Sequence, residues 1–310
     1  MSDVAKPTPH HTPVMPTEVF SALALRPSDT YADLTAGLGG HAVLALSQLA
    51  PAGRIILNDL DGSNLARCGA ALASAVGGAA GPTVQTLRGN FAEAPHSLAN
   101  WGIRADAVLA DLGFSSNQME DASRGFSFMR EGPLDMRLDP SRGLSAAELV
   151  NHAAEAELTG WIRDFGEDPA APRIARKLVQ ARTAGPILTT TRLAEIVRSA
   201  IPGNRHTGID PATRTFQAIR IIVNDELGSL EALLSAVERS DRGRWLAAGA
   251  RVAIITFHSL EDRLVKRSFA RLVESGVATV PGNQPVATSE AEAGRNPRSR
   301  SAKLRWIRLV

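Results

Sequence analysis

Asp33-Leu-Thr35-Ala-Gly37-Leu-Gly39-Gly40-His41 is the stretch whose residue types and spacing are best suited to chemistry. An acid stands ahead of glycines at alternate positions, and glycine lets a backbone turn tightly and approach a ligand closely. Gly37-x-Gly39-x-x-Ala42 meets a loose dinucleotide fingerprint, and Asp59, twenty residues beyond Gly39, is placed to hold a ribose hydroxyl. That pattern leaves two cofactors open, and Asp33 weighs between them. A carboxylate suits S-adenosylmethionine, whose methionine end has an ammonium and a sulfonium; it sits poorly beside the doubly negative pyrophosphate of NAD. Helix N-capping is the other use of such an Asp.

Other residues extend the candidate site. His41 falls in a first helical turn, as a donor to a cofactor carboxylate or as a capping histidine. Phe91, after Arg88-Gly89-Asn90, is placed to pack on an adenine or to fill core. Asp111 closes an apolar run, where a carboxylate can orient an amine or take its proton. His258-Ser-Leu-Glu-Asp262 has the residue types of a catalytic string. Its members lie on one turn, which excludes a Ser-His-Asp hydrolase, and Ser259 with Asp262 reads as a capping box. Residues 124–139 mix Arg, Gly and Pro with Phe126 and Phe128, a pattern suited to stacking bases and holding phosphate, or to pinning a connector.

These residues need elements to place them. Residues 30–35, 54–59, 83–87 and 105–112 read as buried strands, with helices over 41–49 and 65–75 between them. Such alternation predicts βαβ units and a parallel sheet. The next strand, 251–257, follows a gap far longer than one crossover needs, so something is inserted. Leu193, Ile196, Val197, Ala200 and Ile201 keep one helical face, as do Leu158, Ile162 and Phe165, and Ile174 with Leu178. Ser145 and Glu148 form a capping-box pair. Phe216, Ile219, Val223, Leu227, Leu230 and Leu234 predict one long helix back to the sheet. Residues 276–297, rich in Pro, Gly, Ala and Glu, read as a mobile loop, and 302–310 as a last strand.

Composition sets the outer limits. With 310 residues, 44% hydrophobic and 21% charged, the chain has the make-up of a folded protein of two domains or of one domain with an insertion. No apolar run reaches membrane-spanning length and residues 1–20 lack a secretion signal's apolar block, so a cytoplasmic protein is expected. One cysteine, Cys68, excludes an intrachain disulfide and a cysteine-built zinc site, and no metal is expected. The net charge of +2 hides a gradient: residues 1–120 are net −4, 121–222 net +2 and 223–310 net +4. Of 34 basic residues 30 are Arg, which suits RNA, although a GC-rich genome produces the same bias. The tail residues Arg295, Arg298, Arg300, Lys303, Arg305 and Arg308 have no acid among them, so they are candidates for RNA contact or for a solvated face.

Eight blocks then occur in order: His11-Thr-Pro-Val-Met, Gly37-Leu-Gly-Gly-His41, Asp111-Leu-Gly-Phe-Ser-Ser-Asn-Gln118, Arg124-Gly-Phe-Ser-Phe128, Pro133-Leu-Asp-Met-Arg137, Pro211-Ala-Thr-Arg-Thr-Phe-Gln217, Phe257-His-Ser-Leu-Glu-Asp-Arg263 and Asn296-Pro-Arg-Ser-Arg-Ser301. Together, from about residue 11 to the end, they closely resemble the bacterial small-subunit ribosomal RNA cytosine-N4 methyltransferases of the MraW/RsmH type. The resemblance implies an α/β fold, a Rossmann-like class I sheet dependent on S-adenosylmethionine with an inserted all-helical domain. It implies a methyltransferase domain over 1–118 and 223–310, and a helical domain over 119–222 that recognises substrate. It implies methyl transfer to a cytosine N4 amine in the decoding region, with small-subunit rRNA, within the subunit, as partner. The cofactor positions it carries over are Gly39, Gly40, His41, Asp59, Phe91, Asp111 and Gln118, with Asp111 also the catalytic candidate. Two departures stand out. Asn58-Asp59-Leu60-Asp61 replaces the family's usual Ile-Asp-Arg-Asp, and Thr207-Gly-Ile-Asp210 lacks the His that often precedes the proline. Other readings are a methyltransferase of another RNA or of DNA, an NAD-dependent oxidoreductase, and a non-catalytic rRNA-binding assembly factor.

Overall fold

The computed structural model describes residues 12–78, 80–201, 208 and 210–310; His11, Thr207 and Ile209, named above, lie outside them. Contacts divide the chain into a first unit, Met1–Gly113 with Leu230–Val310, and a second, Phe114–Ser229.

The first unit is built on an eight-stranded sheet. Strands β1 (Thr30–Asp33), β2 (Arg54–Asp59), β3 (Thr83–Arg88), β4 (Ala105–Asp111) and β5 (Leu246–Thr256) are parallel, and β6 (Ala278–Thr279), β7 (Val286–Ala287) and β8 (Lys303–Leu309) extend the sheet antiparallel beyond β5. The order β3-β2-β1-β4-β5-β8-β6 follows the strand–helix alternation. Helices α1 (Pro16–Leu23), α2 (Gly40–Leu46), α3 (Gly62–Val76) and α4 (Ala94–Asn100) belong to this unit. Strands buried on both faces read as continuous apolar runs, and β5 is buried at every position from Ala250 to Thr256. Two apolar clusters form. Ile56, Val108, Leu98 and Phe269 belong to one; Ile55, Leu57, Leu109, Cys68 and Met15 belong to the other. The buried Arg251 donates to Asp29 and to the Leu23 carbonyl, fixing the end of α1 against β5.

The second unit is helical: α5 (Ser116–Glu120), α6 (Ala146–His152), α7 (Glu155–Asp164), α8 (Ala171–Ala184), α9 (Thr190–Ala200) and α10 (Ala212–Asn224). Helices this short do not stand alone in water. Leu193, Ile196, Val197 and Ala200 of α9 are all buried, and each large aliphatic side chain removed from water contributes roughly 1.5–3 kcal/mol. Ser145 and Glu148 form the expected capping box.

The structure corrects three local readings. The single long helix after residue 212 is two, because Asp225 is in the left-handed conformation (φ 47°) and ends α10; α11 (Glu226–Glu238) then starts afresh. Residues 276–297 are not one loop: they contain β6, β7 and α13 (Glu290–Arg295). Helix α12 (Ser259–Glu274) is capped one residue earlier than expected, by His258 with Glu261. Asp262, freed from that duty, pairs with Arg305 at 2.7 Å and with Lys303 at 3.5 Å. Arg305 is therefore a buried structural cation and is withdrawn from the RNA candidates. Among the described residues, no helix is long and apolar enough to cross a membrane.

Candidate active site

β1 lies between β2 and β4, so the chain leaves to one side after β1 and returns on the other at β4. In open parallel sheets ligands bind at the carboxyl ends of the strands beside such a reversal. The carboxyl ends here are Asp33, Asp59 and Asp111, one acid for each of β1, β2 and β4.

Each acid is held differently. Asp33 is buried, accepts the Thr35 N–H at 3.2 Å and receives the Tyr31 hydroxyl at 3.2 Å. It does not cap α2, whose N-cap is Gly39, so the capping use is excluded. Asp59 accepts Gly37 N–H and Asp61 N–H, each at 2.8 Å, and so folds the glycine loop against its own strand. Asp111 is tied through its backbone N–H, which donates to Thr35 Oγ1 at 2.6 Å. Its carboxyl is lopsided. The side chain is 20% exposed, yet Oδ1 is shut off from solvent without a partner.

Burial pushes the Asp33 carboxyl from its ordinary 3.8 up to about 7, Asp59 upward, and Asp111 well upward. Neighbouring charge adds to this: Asp59 acts on Asp33, Asp61 on Asp59, and Asp33 with Glu261 on Asp111. A buried acid group unmatched by cations costs stability, so its arrangement calls for a positively charged ligand.

The glycine loop makes room beside these acids. Gly37 (φ 51°) and Gly39 (φ 87°) are both left-handed, and a Cβ on Gly39 would stand 2.9 Å from Cys68 Sγ. His41 is buried and its Nε2 donates to the Val14 carbonyl at 2.9 Å. A neutral ring has one N–H, so donation from the side chain to a cofactor carboxylate is no longer available. The backbone N–H groups of Gly40 and His41, in the first turn of α2, remain suited to that carboxylate. Phe91 is partly buried in a short 3-10 turn and packs on the sheet core through one side. Asn58, the departure from the usual Ile, is buried, and its Nδ2 donates to Leu34 O and Gly89 O at 3.0 Å each, joining the ends of β1 and β3. Gln118 belongs to the second unit, where its Oε1 accepts Ser115 N–H at 2.9 Å and helps close a capping box on α5.

With this geometry in hand, the chain was compared with known proteins. The model of the MraW methylase family matches residues 8–310. Ribosomal RNA small subunit methyltransferase H of Symbiobacterium thermophilum is 45% identical over 315 residues, covering 96% of this chain and 96% of that protein. Its namesake in Synechocystis is 42% identical over 302 residues, with 97% and 94% covered. That of Deinococcus radiodurans is 45% identical over 305 residues, with 98% and 91% covered.

The chain belongs to the MraW methylase family. It is a methyltransferase, and its methyl donor is S-adenosylmethionine. The residues of this methylase fit that donor: three acids face a ligand with two cationic centres, Oδ1 of Asp111 lacks a partner, and the Gly39 cradle is space that a Cβ would fill. Gly39, Gly40 and His41 would hold the methionine end through their backbone, Asp59 the ribose, and Phe91 would lie by the adenine. Signals for Tyr31 and Glu261 as members of the acid cluster were weak in the sequence, because strand alternation says nothing about which distant carboxylates converge.

A pH dependence follows from Asp33. In the ligand-free methylase its raised value means that stability declines as pH climbs from the ordinary carboxylate range through about 7. A bound cation favours the carboxylate, so binding below pH 7 releases a proton and weakens as pH falls. Calorimetry at pH 6 in two buffers of different ionisation enthalpy is expected to show net proton release on S-adenosylmethionine binding; buffer-independent heats would remove Asp33 from the site.

The second unit shows what became of residues 124–139. Arg124 Nη2 donates to the Arg137 and Leu138 carbonyls at 3.1 and 2.8 Å, and its guanidinium lies 5.9 Å from the centre of the buried Phe126 ring. Phe126 stacks on Phe114 at 5.1 Å, and Phe128 meets Phe216 edge-on at 4.8 Å. Both aromatics of this segment are packed within the unit.

Proposed function

We propose that this methylase transfers a methyl group to the exocyclic N4 amine of a cytosine in the decoding region of small-subunit ribosomal RNA, acting in the cytoplasm on the RNA within the subunit. The observation that carries the reading is Asp111 Oδ1, a buried carboxylate oxygen without a partner at the carboxyl end of β4. The relatives' names, which specify small-subunit rRNA, support the substrate.

Cytosine N4 is a poor nucleophile because its lone pair is delocalised into the ring. What the protein must do is hold the amine in line and accept charge as the bond forms. S-adenosylmethionine, when bound, supplies a methyl group activated by a sulfonium. Asp111 accepts an N4 hydrogen bond, orients the amine and takes the proton that N4 sheds. Asp33 keeps negative charge beside the cationic ligand. The second unit is the substrate-recognition domain: Arg142, Arg163, Arg176 and Arg192 carry side chains 80%, 64%, 67% and 54% exposed, suited to phosphate contact.

Transfer of labelled methyl to small subunits, naked rRNA and duplex DNA tests the reading, with the label mapped by nuclease digestion. Label in N4-methylcytidine from the decoding region is expected. Label confined to DNA or another base overturns the substrate, and binding of the donor without any transfer points to an assembly factor.

A further inference from the structure

The first motif block, residues 11–15, has no task in the reaction as described so far. The structure gives one to Val14. Its carbonyl accepts His41 Nε2 at 2.9 Å, in a buried contact between residues 27 apart. The donor rests on a firm segment. Met15 is fully buried, and its backbone N–H donates to the buried Glu292 at 2.7 Å. Asn296 Nδ2 reaches the Thr12 carbonyl at 3.4 Å. The far end of the chain thus clamps residues 12–15 over α2.

A carbonyl oxygen can only accept, so Nε2 must carry the proton. In a neutral imidazole that leaves Nδ1 unprotonated. Nδ1 is the atom that faces the active-site acid: it lies 3.9 Å from Asp111 Oδ2, with the His41 side chain 7% exposed. The other groups around Asp111 are acidic or neutral: Asp33 and Tyr31 from β1, Glu261 from α12 and the Thr35 hydroxyl from the glycine loop. Around His41, α1 contributes the Phe20 ring, 6.4 Å away.

We propose that His41 is the proton partner of Asp111, its Nδ1 taking up the proton that Asp111 accepts from the substrate amine. The inference rests on the proposed transfer to an amine. In that transfer the N4 lone pair forms the new C–N bond as the C–S bond breaks with its electrons leaving on sulfur. N4 then carries one proton too many; it passes to the Asp111 carboxylate and on to Nδ1, and water finally removes it from the imidazolium. A protonated pair in which the proton sits on His41 leaves Asp111 a carboxylate, able to accept again. Without His41 the proton stays on Asp111, whose surroundings already favour the neutral form. His41 acts through Asp111 and is a positioning residue.

His41→Gln separates this role from packing. The Gln amide can still donate to Val14 but offers nothing at the Nδ1 position. Methyl transfer at saturating donor is expected to show its acid limb displaced upward by at least about one pH unit, with the rate recovering at alkaline pH. A structural defect would lower the rate by a constant factor at all pH values. Nitrogen-15 NMR of the wild-type histidines gives a second, fold-independent readout. It is expected to find His41 as the Nε2–H tautomer, and its titration is expected to move down by about half a unit or more in Asp111→Asn. An unshifted acid limb in His41→Gln, or a His41 proton on Nδ1, overturns the proposal. A wild-type protein that methylates no acceptor overturns the functional reading instead.

Discussion

Asp111→Asn is expected to lower the methyl-transfer rate at saturating donor and RNA by about 10²–10⁴-fold, the range in which a positioned acid or base contributes. Asn keeps the size of the side chain and one carbonyl oxygen, so the Asp111 N–H···Thr35 bond at 2.6 Å and the end of β4 have no reason to move. What Asn lacks is a second oxygen able to take a proton. The two roles open to Asp111 then separate cleanly. A residue that only contacts the donor loses affinity, and saturating donor restores the rate. A proton acceptor leaves the rate depressed at saturation. Isothermal titration with the donor, run beside single-turnover transfer, reads both quantities on one preparation. Wild-type turnover at saturation would remove Asp111 from the chemistry and leave it as a cofactor contact. Because Asp33 and Glu261 already crowd this carboxyl with negative charge, its removal is expected to stabilise the ligand-free fold slightly. A lost rate cannot then be traced to unfolding, and a thermal melt on the same samples checks that point.

The sheet was legible because buried strands and short crossovers leave local marks. β2 occupies the residues read from Arg54 to Asp59, and the long gap before β5 implied an insertion. The helical stripes were equally plain, since period 3.6 is a local property. The misreadings have a shared cause: each turned on a residue whose role is set by something distant or by one dihedral angle. The apolar spacing runs unbroken from Phe216 to Leu234, and only the left-handed turn at Asp225 breaks the helix. Arg305 looked like a free basic residue until Asp262 arrived from α12. His258 caps α12 in place of Ser259 because the Glu261 carboxylate reaches back to the N–H groups of Phe257 and His258, at 2.8 and 3.3 Å. In the site, the glycine spacing and the strand-end acids could be read directly. The bond from His41 to Val14, the burial that raises Asp33 and the partnerless oxygen of Asp111 all depend on three-dimensional enclosure. Composition reveals none of them. The charge gradient was informative in one respect: the acidic first third contains Asp33, Asp59 and Asp111, which together make the cation-seeking edge.

Gly39→Ala is expected to abolish useful donor binding, weakening affinity at least about 100-fold, while costing the fold about 2–3 kcal/mol. Two independent penalties meet at this position. With φ at 87°, the backbone is in a region that L side chains enter at a cost of roughly 1–2 kcal/mol. The new Cβ would also stand 2.9 Å from Cys68 Sγ and 3.3 Å from Cys68 Cα. The sulfur cannot easily yield, since Cys68 is fully buried within the cluster that includes Leu65, Leu72 and Ala42. The glycine loop must therefore shift, and Gly39 is the N-cap of α2, so the shift carries the Gly40 and His41 N–H groups out of place. Displacing a preorganised donor set by about 1 Å is enough to lose two orders of magnitude. The double variant Gly39→Ala with Cys68→Ala tests the cause. It removes the sulfur contact but leaves Cα at 3.3 Å and the backbone conformation unchanged. Partial recovery of thermal stability, with affinity still below wild type, is the expected pattern, and a double-mutant cycle gives the coupling between the two positions. If the single variant bound donor like the wild type, this loop would not be the donor's seat. If the two changes simply added, the clash with Cys68 would not be what excludes a side chain here, and the left-handed backbone alone would account for the glycine.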